Sequence, residues 1–190
     1  MKEGDKIVVI GGSAGSLPVL LYLLQNLPAG FAVPVVVVLH RLKNVTSELE
    51  KIVDFSKNGL QVREPEDKEP IRPRYVYFAP ANYHLLVETD KTFSLDYSEP
   101  VQYSRPSIDV SFESMADVYG AGAIGVLLSG ANEDGAAGLK DITERGGIAI
   151  VQHPDTSEYP IMPRAAIKKN HSVLIYSQQQ ILRYLEGLIS

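Results

Sequence analysis

Five short stretches, KIVVIG, VPVVVVLH, GAIGVLLSG, GGIAIVQ and SVLIYS, are apolar without alternation, rich in Val and Ile, and close to Gly, Pro, Asn or Ser. A strand with one wet face alternates, whereas an unbroken apolar run marks a strand covered on both faces. The five runs are therefore expected to be parallel strands. Amphipathic spacing at residues 16–27, 45–57, 107–119, 135–145 and 177–188 predicts helices around them. Strand and helix in alternation predict an α/β fold, a three-layer α/β/α arrangement on a mostly parallel sheet. Residues 74–97, RYVYFAPANYHLLVETDKTFSLDY, break this rhythm with period-two alternation and the turn signals APAN and ETDK. They predict a short antiparallel meander or hairpin attached to the main sheet. The REPEDKEPIRPR stretch before it is charged and proline-rich, which predicts a solvated loop.

A chain of 190 residues, 45% apolar, can bury one continuous core, so residues 1–190 are expected to form a single domain. The net charge of −5 argues against a generally basic nucleic-acid surface. The absence of cysteine removes disulfides, thiolate metal sites and a cysteine nucleophile together. The polar start MKEGDK, and the interruption of the following apolar stretch by Gly11, Gly12, Gly15 and Pro18, fit neither a signal peptide nor a membrane span. A cytoplasmic protein without membrane insertion is expected.

The first strand runs into GGSAG, residues 11–15, and then into a helical pattern. The glycines miss the dinucleotide spacing G-x-G-x-x-G, no lysine follows for a P-loop, and residues 27–39 hold no acidic group for a ribose. The pattern G-x-S-x-G is satisfied, making Ser13 a candidate nucleophile at a tight strand-to-helix turn, with a purely structural Gly-Ser bend as the alternative. A serine needs a base, and the base needs an orienting acid. His40 ends the second apolar run, and in a parallel sheet such ends gather the site. Asp134 lies in the turn after LLSG, where N-capping of the next helix is its other reading. His84, in the alternating section, and His153 and His171, in polar loops, read as structural or solvated. The order Ser13, His40, Asp134 differs from that of the α/β-hydrolases and the two serine protease orders, so another scaffold is needed.

IGGSAGS, LH after the second strand, APANYHLLV, RPSIDVSFESMA, GVLLSGANEDGAAGLKDI and MPRAAI occur in that order along nearly the whole chain. In these stretches the sequence resembles the catalytic domain of the bacterial chemotaxis protein-glutamate methylesterases. The resemblance implies a serine hydrolase with Ser13 as nucleophile, His40 as general base and Asp134 as orienting acid, using no cofactor and no metal. It implies hydrolysis of glutamyl methyl esters on the cytoplasmic helices of chemoreceptors with release of methanol, and deamidation of receptor glutamines by the same tetrahedral chemistry. Backbone N–H groups near Ala14 and around Ala131 would hold the oxyanion. Arg105 and Arg164 would shape the cleft or meet a carboxylate-rich receptor surface; the alternative is that each pins a loop through backbone carbonyls.

Departures from the pattern keep alternatives open. Ala14 stands where a hydroxyl residue is frequent, Ala131 where methionine is frequent, and HRLKNVTSELE replaces an expected proline-containing loop. An inactive binding module for a receptor or signalling protein is the second reading. A nucleotide-binding domain using the glycine bend is the third. The sequence opens on the first strand of the esterase pattern, without the receiver domain of the chemotaxis enzymes. The expectation is therefore an unregulated domain, regulation by a separate chain, or a fragment.

Overall fold

The computed structural model describes residues 6–40 and 58–189. The five apolar runs form β1 (Ile7–Gly12), β2 (Val35–Leu39), β7 (Ala123–Leu127), β8 (Ile148–Gln152) and β9 (Leu174–Tyr176). With β3 (Gln61–Arg63) and β4 (Tyr75–Phe78) they make one sheet in the order β3-β4-β2-β1-β7-β8-β9, parallel throughout. The helices are α1 (Leu17–Asn26), α2 (Ile108–Tyr119), α3 (Ala136–Glu144), α4 (Ile161–Lys169) and α5 (Gln178–Glu186). The helix expected over 45–57 lies outside the described residues.

Both faces of the sheet are covered, which is why its strands read as unbroken apolar runs. Val8, Ile10, Val35 and Val37 point into one core with Leu20, Leu24 and Leu185 of α1 and α5. Their neighbours Val9, Val36 and Val38 point into the other, with Phe112, Leu139 and Met162 of α2, α3 and α4. This is the expected three-layer arrangement.

The alternating section divides differently from expectation. Its first strand, β4, joins the main sheet parallel to β2, and only β5 (His84–Val87) and β6 (Phe93–Asp96) form an antiparallel pair, as a separate two-stranded sheet. Val76 and Phe78 of β4 enter one core and Tyr77 the other, so the alternation there separates two cores rather than core from water. Helix α4 was not expected. Its Pro163 falls in the first turn, where the missing N–H leaves no helix bond unmade.

Chain order places the site. From β1 the chain crosses to β2 on one side, and β7 later pairs on the other side of β1. The crevice at the carboxyl ends of strands beside such a reversal is where parallel sheets bind ligands. The turns after β1, β2 and β7, carrying Ser13, His40 and Asp134, all open at that edge.

Candidate active site

Ser13 stands at a closed turn. Its N–H donates to the Ser129 carbonyl at 2.9 Å, and its own carbonyl accepts from the Ser16 N–H at 3.1 Å and the Ser16 hydroxyl at 2.6 Å. Gly15 completes the turn at φ +73°, and a Cβ there would stand 2.9 Å from Ser129 Oγ, so a side chain is excluded on both counts. Ser129 Oγ donates to the Ala14 carbonyl at 2.8 Å and accepts from the Tyr159 N–H at 2.9 Å, tying the turn to the end of β7. The Ser13 hydroxyl makes no hydrogen bond with any described residue.

His40 follows in register. Gly12 pairs with Leu39, and the His40 N–H donates to the Gly12 carbonyl at 3.3 Å, so one step beyond the ladder the serine and the histidine leave neighbouring strands side by side. The His40 side chain is 13% exposed, and its Nε2 lies 2.7 Å from Asp134 Oδ2. A carboxylate only accepts, so Nε2 carries a proton, and in the neutral imidazole Nδ1 keeps the lone pair.

Asp134 is fully buried and anchored at the N-terminus of a helix that is not its own. Its Oδ1 accepts from Ser107 Oγ at 3.0 Å and the Asp109 N–H at 2.9 Å, and its Oδ2 accepts from the Ile108 N–H at 2.8 Å as well as from His40. Burial pushes this carboxyl upward, but the bonds from His40, Asp109 and Ile108 outweigh it and hold the group below the ordinary carboxylate range. Capping of α3 by Asp134, the other reading of the sequence, does not occur. Gly135 takes that position at φ +92°, and Asp109 of α2 accepts the Gly138 N–H of α3 at 2.8 Å. The two helices thus exchange carboxylates.

Ala14 and Ala131 are exposed beside this edge, and their N–H groups donate to no described residue. Arg105 is turned to its own loop: Nη1 donates to the carbonyls of Tyr97 at 3.2 Å and Ser98 at 2.7 Å, and the guanidinium lies 4.0 Å from the centre of the Tyr97 ring. Arg164, exposed near the start of α4, makes no ion pair among the described residues. His84 is buried between the Glu99 carbonyl and the Ser107 N–H, at 3.1 Å from each. His153 accepts the Asp155 N–H at 3.2 Å, and His171 is exposed in a turn, so the three remaining histidines have the structural or solvated places expected of them.

Two groups went unnoticed in the sequence. Ser107, the N-cap of α2, reaches Asp134 from 27 positions away. Asn132 accepts the Asp134 N–H on Oδ1 at 3.2 Å and sets Nδ2 3.3 Å from His40 Nδ1. An Asn two residues before an Asp signals an Asx turn, which locates the second residue but not its reach to the histidine.

Comparison with known proteins places the chain in a family. The CheB methylesterase profile matches residues 8–185. The chain belongs to the CheB methylesterase family. A Leptospira interrogans protein with a provisional assignment as protein-glutamate methylesterase/protein-glutamine glutaminase is 46% identical over 92% of this chain and 90% of its own length. A protein-glutamate methylesterase/protein-glutamine glutaminase of Carboxydothermus hydrogenoformans is 39% identical over 87% of this chain and 50% of its own length. The crystal structure of the Thermotoga maritima CheB methylesterase catalytic domain superposes with a TM-score of 0.89 at 33% identity, over 96% of this chain and 98% of that one. The seven-stranded parallel sheet with its helices and separate hairpin is therefore the CheB catalytic fold, and the chain falls in a hydrolase family. Among the described residues no helix is long and apolar enough to cross a membrane.

Proposed function

We propose that residues 1–190 form one catalytic domain that hydrolyses methyl esters of glutamate side chains on the cytoplasmic helices of chemoreceptors, and that Ser13, His40 and Asp134 perform the chemistry. The names of the relatives support the substrate class. The observation that carries the site assignment is the buried His40–Asp134 pair, held at the sheet edge where β1 delivers Ser13.

Asp134 keeps the imidazole proton on Nε2 and leaves Nδ1 as the basic nitrogen. Nδ1 takes the Ser13 proton as Oγ attacks the ester carbonyl, and the imidazolium is stabilised by the carboxylate across the ring. The N–H groups of Ala14 and Ala131, uncommitted to any described residue, suit the oxyanion, each worth on the order of 3 kcal/mol in that role. Nδ1–H then gives its proton to the departing methoxy oxygen, and methanol leaves. Water, deprotonated by the same nitrogen, releases the glutamate side chain. A glutamine amide follows the same course with ammonia as leaving group.

Arg105 supports the site by fastening the 97–98 loop, and Arg164, with no ion pair among the described residues, is a cation available to a carboxylate-rich receptor surface. A separate regulatory chain would act by covering the same edge. Methanol release from a methylated receptor tests the proposal: Ser13→Ala is expected to abolish it, and turnover at the wild-type rate would overturn it.

A further inference from the structure

The nitrogen of His40 that must accept the nucleophile's proton is already occupied. Asn132 Nδ2 lies 3.3 Å from His40 Nδ1, while the Ser13 hydroxyl has no partner among the described residues. The carboxamide is held in this sense from its other end. Oδ1 accepts the Asp134 N–H, and the amide oxygen can be the only acceptor for that donor, so the NH2 group faces the histidine. The histidine is held from its far side, with Nε2 given to Asp134, so the group facing Asn132 is a single lone pair. A lone pair accepts from one donor at a time. The Asn132 amide and the Ser13 hydroxyl therefore compete for it.

We propose that Asn132 is a latch on the catalytic base, engaged in the free enzyme and released when substrate oxygen takes its N–H. The latch rests on the reading of Ser13 as nucleophile and His40 as its base. In the free enzyme the latch keeps Nδ1 from activating Ser13, which suppresses idle reaction with water or stray electrophiles. Once Ser13 has given up its proton, Nδ1 is itself a donor and repels the carboxamide. The Asn132 N–H must then have another acceptor, and the ester oxygens entering beside His40 supply it. The cost of holding the latch is that of one neutral hydrogen bond, long at 3.3 Å, about fivefold in reactivity.

The test is the second-order rate at which a fluorophosphonate labels the folded protein: Ser13 Oγ bonds phosphorus, fluoride leaves, and His40 takes the hydroxyl proton. Asn132→Ser keeps an oxygen able to accept the Asp134 N–H but is too short to reach His40, and Asn132→Ala removes both bonds. Asn132→Ser is expected to label about fivefold faster than the wild type, an increase that general damage to the site would not produce. Its His40 Nδ1 resonance in 15N NMR is expected to move toward that of an unbonded acceptor nitrogen. Asn132→Ala carries the test by the same readouts if the serine variant does not fold. A folded variant that labels at the wild-type rate or slower, with an unmoved resonance, overturns the latch alone. Equal labelling of wild type and Ser13→Ala overturns the nucleophile assignment, and the latch with it.

Discussion

Asp134 concentrates the site's electrostatics in one side chain: four donors converge on a carboxylate with no solvent contact. Asp134→Asn preserves shape but replaces one acceptor oxygen by a donor, which faces donors already in place. The variant is expected to lose on the order of 10⁴ in kcat, because the imidazole loses both its tautomer and its counter-charge. It is also expected to lose about 1–3 kcal/mol of stability for the donors left unpaired. Because the folded carboxyl is held below its ordinary value of about 3.8, the ionised group stabilises the fold fully above that value, and the benefit disappears as pH falls through the lower folded value. Urea unfolding of both proteins from pH 7 to pH 3 checks this: the gap between them should be constant above about pH 5 and narrow below pH 4. Ser13, His40 and Asp134 were legible as candidates because strand ends in a parallel sheet are where chemistry-bearing residues collect. Asn132 was not, since its reach to His40 depends on how the 130–135 turn is folded.

At the scale of elements, α2 and α3 stabilise each other's first turns. Asp134, just before α3, takes the Ile108 and Asp109 N–H groups of α2, and Asp109 returns the bond to Gly138. With the proposed triad, the exchange couples helix stability to catalysis in one direction only, because Asp134 touches His40 and Asp109 does not. Ser107→Ala and Asp109→Ala are each expected to cost about 1 kcal/mol by thermal unfolding, the usual value of a lost cap. Only Ser107→Ala, which strips a donor from Asp134, should also lower kcat at unchanged KM. Equal kinetic losses would mean that the two caps act through helix stability rather than through the carboxylate. This pairing could not be read from the sequence, where Asp134 offers itself as a cap of its own helix and nothing links Asp109 to Gly138. The misassigned β4 has a related cause: Tyr75–Phe78 alternates in size and polarity, yet both of its faces are covered. Helix α4 escaped notice because Pro163 reads as a breaker until its place in the first turn is known.

Across the whole molecule, the two layers around the sheet are unequal partners of the site. The layer of α1 and α5 supports the strands but supplies no group to Asp134. The other layer holds Asp134 through α2 and α3, and Phe112 is its wedge: a Cβ on Gly11 would meet Phe112 Cζ at 3.1 Å, and one on Gly138 would meet Phe112 Cβ at 2.6 Å. The side chain thus spans the end of β1, two residues before Ser13, and the first turn of α3. Leu24 and Phe112 are both fully buried, in opposite cores. Their replacement by alanine is expected to cost comparable stability, about 2–5 kcal/mol for Leu24→Ala and about 3–5 kcal/mol for Phe112→Ala. Assayed well below either midpoint, so that both variants are folded, Leu24→Ala should keep kcat within about twofold. Phe112→Ala should lose at least tenfold, because small displacements of a catalytic group from its working geometry are expensive. The comparison separates positioning from stability: equal losses would show that the site depends on the sheet as a whole, and a selective loss in Phe112→Ala that the helix exchange keeps Asp134 against His40.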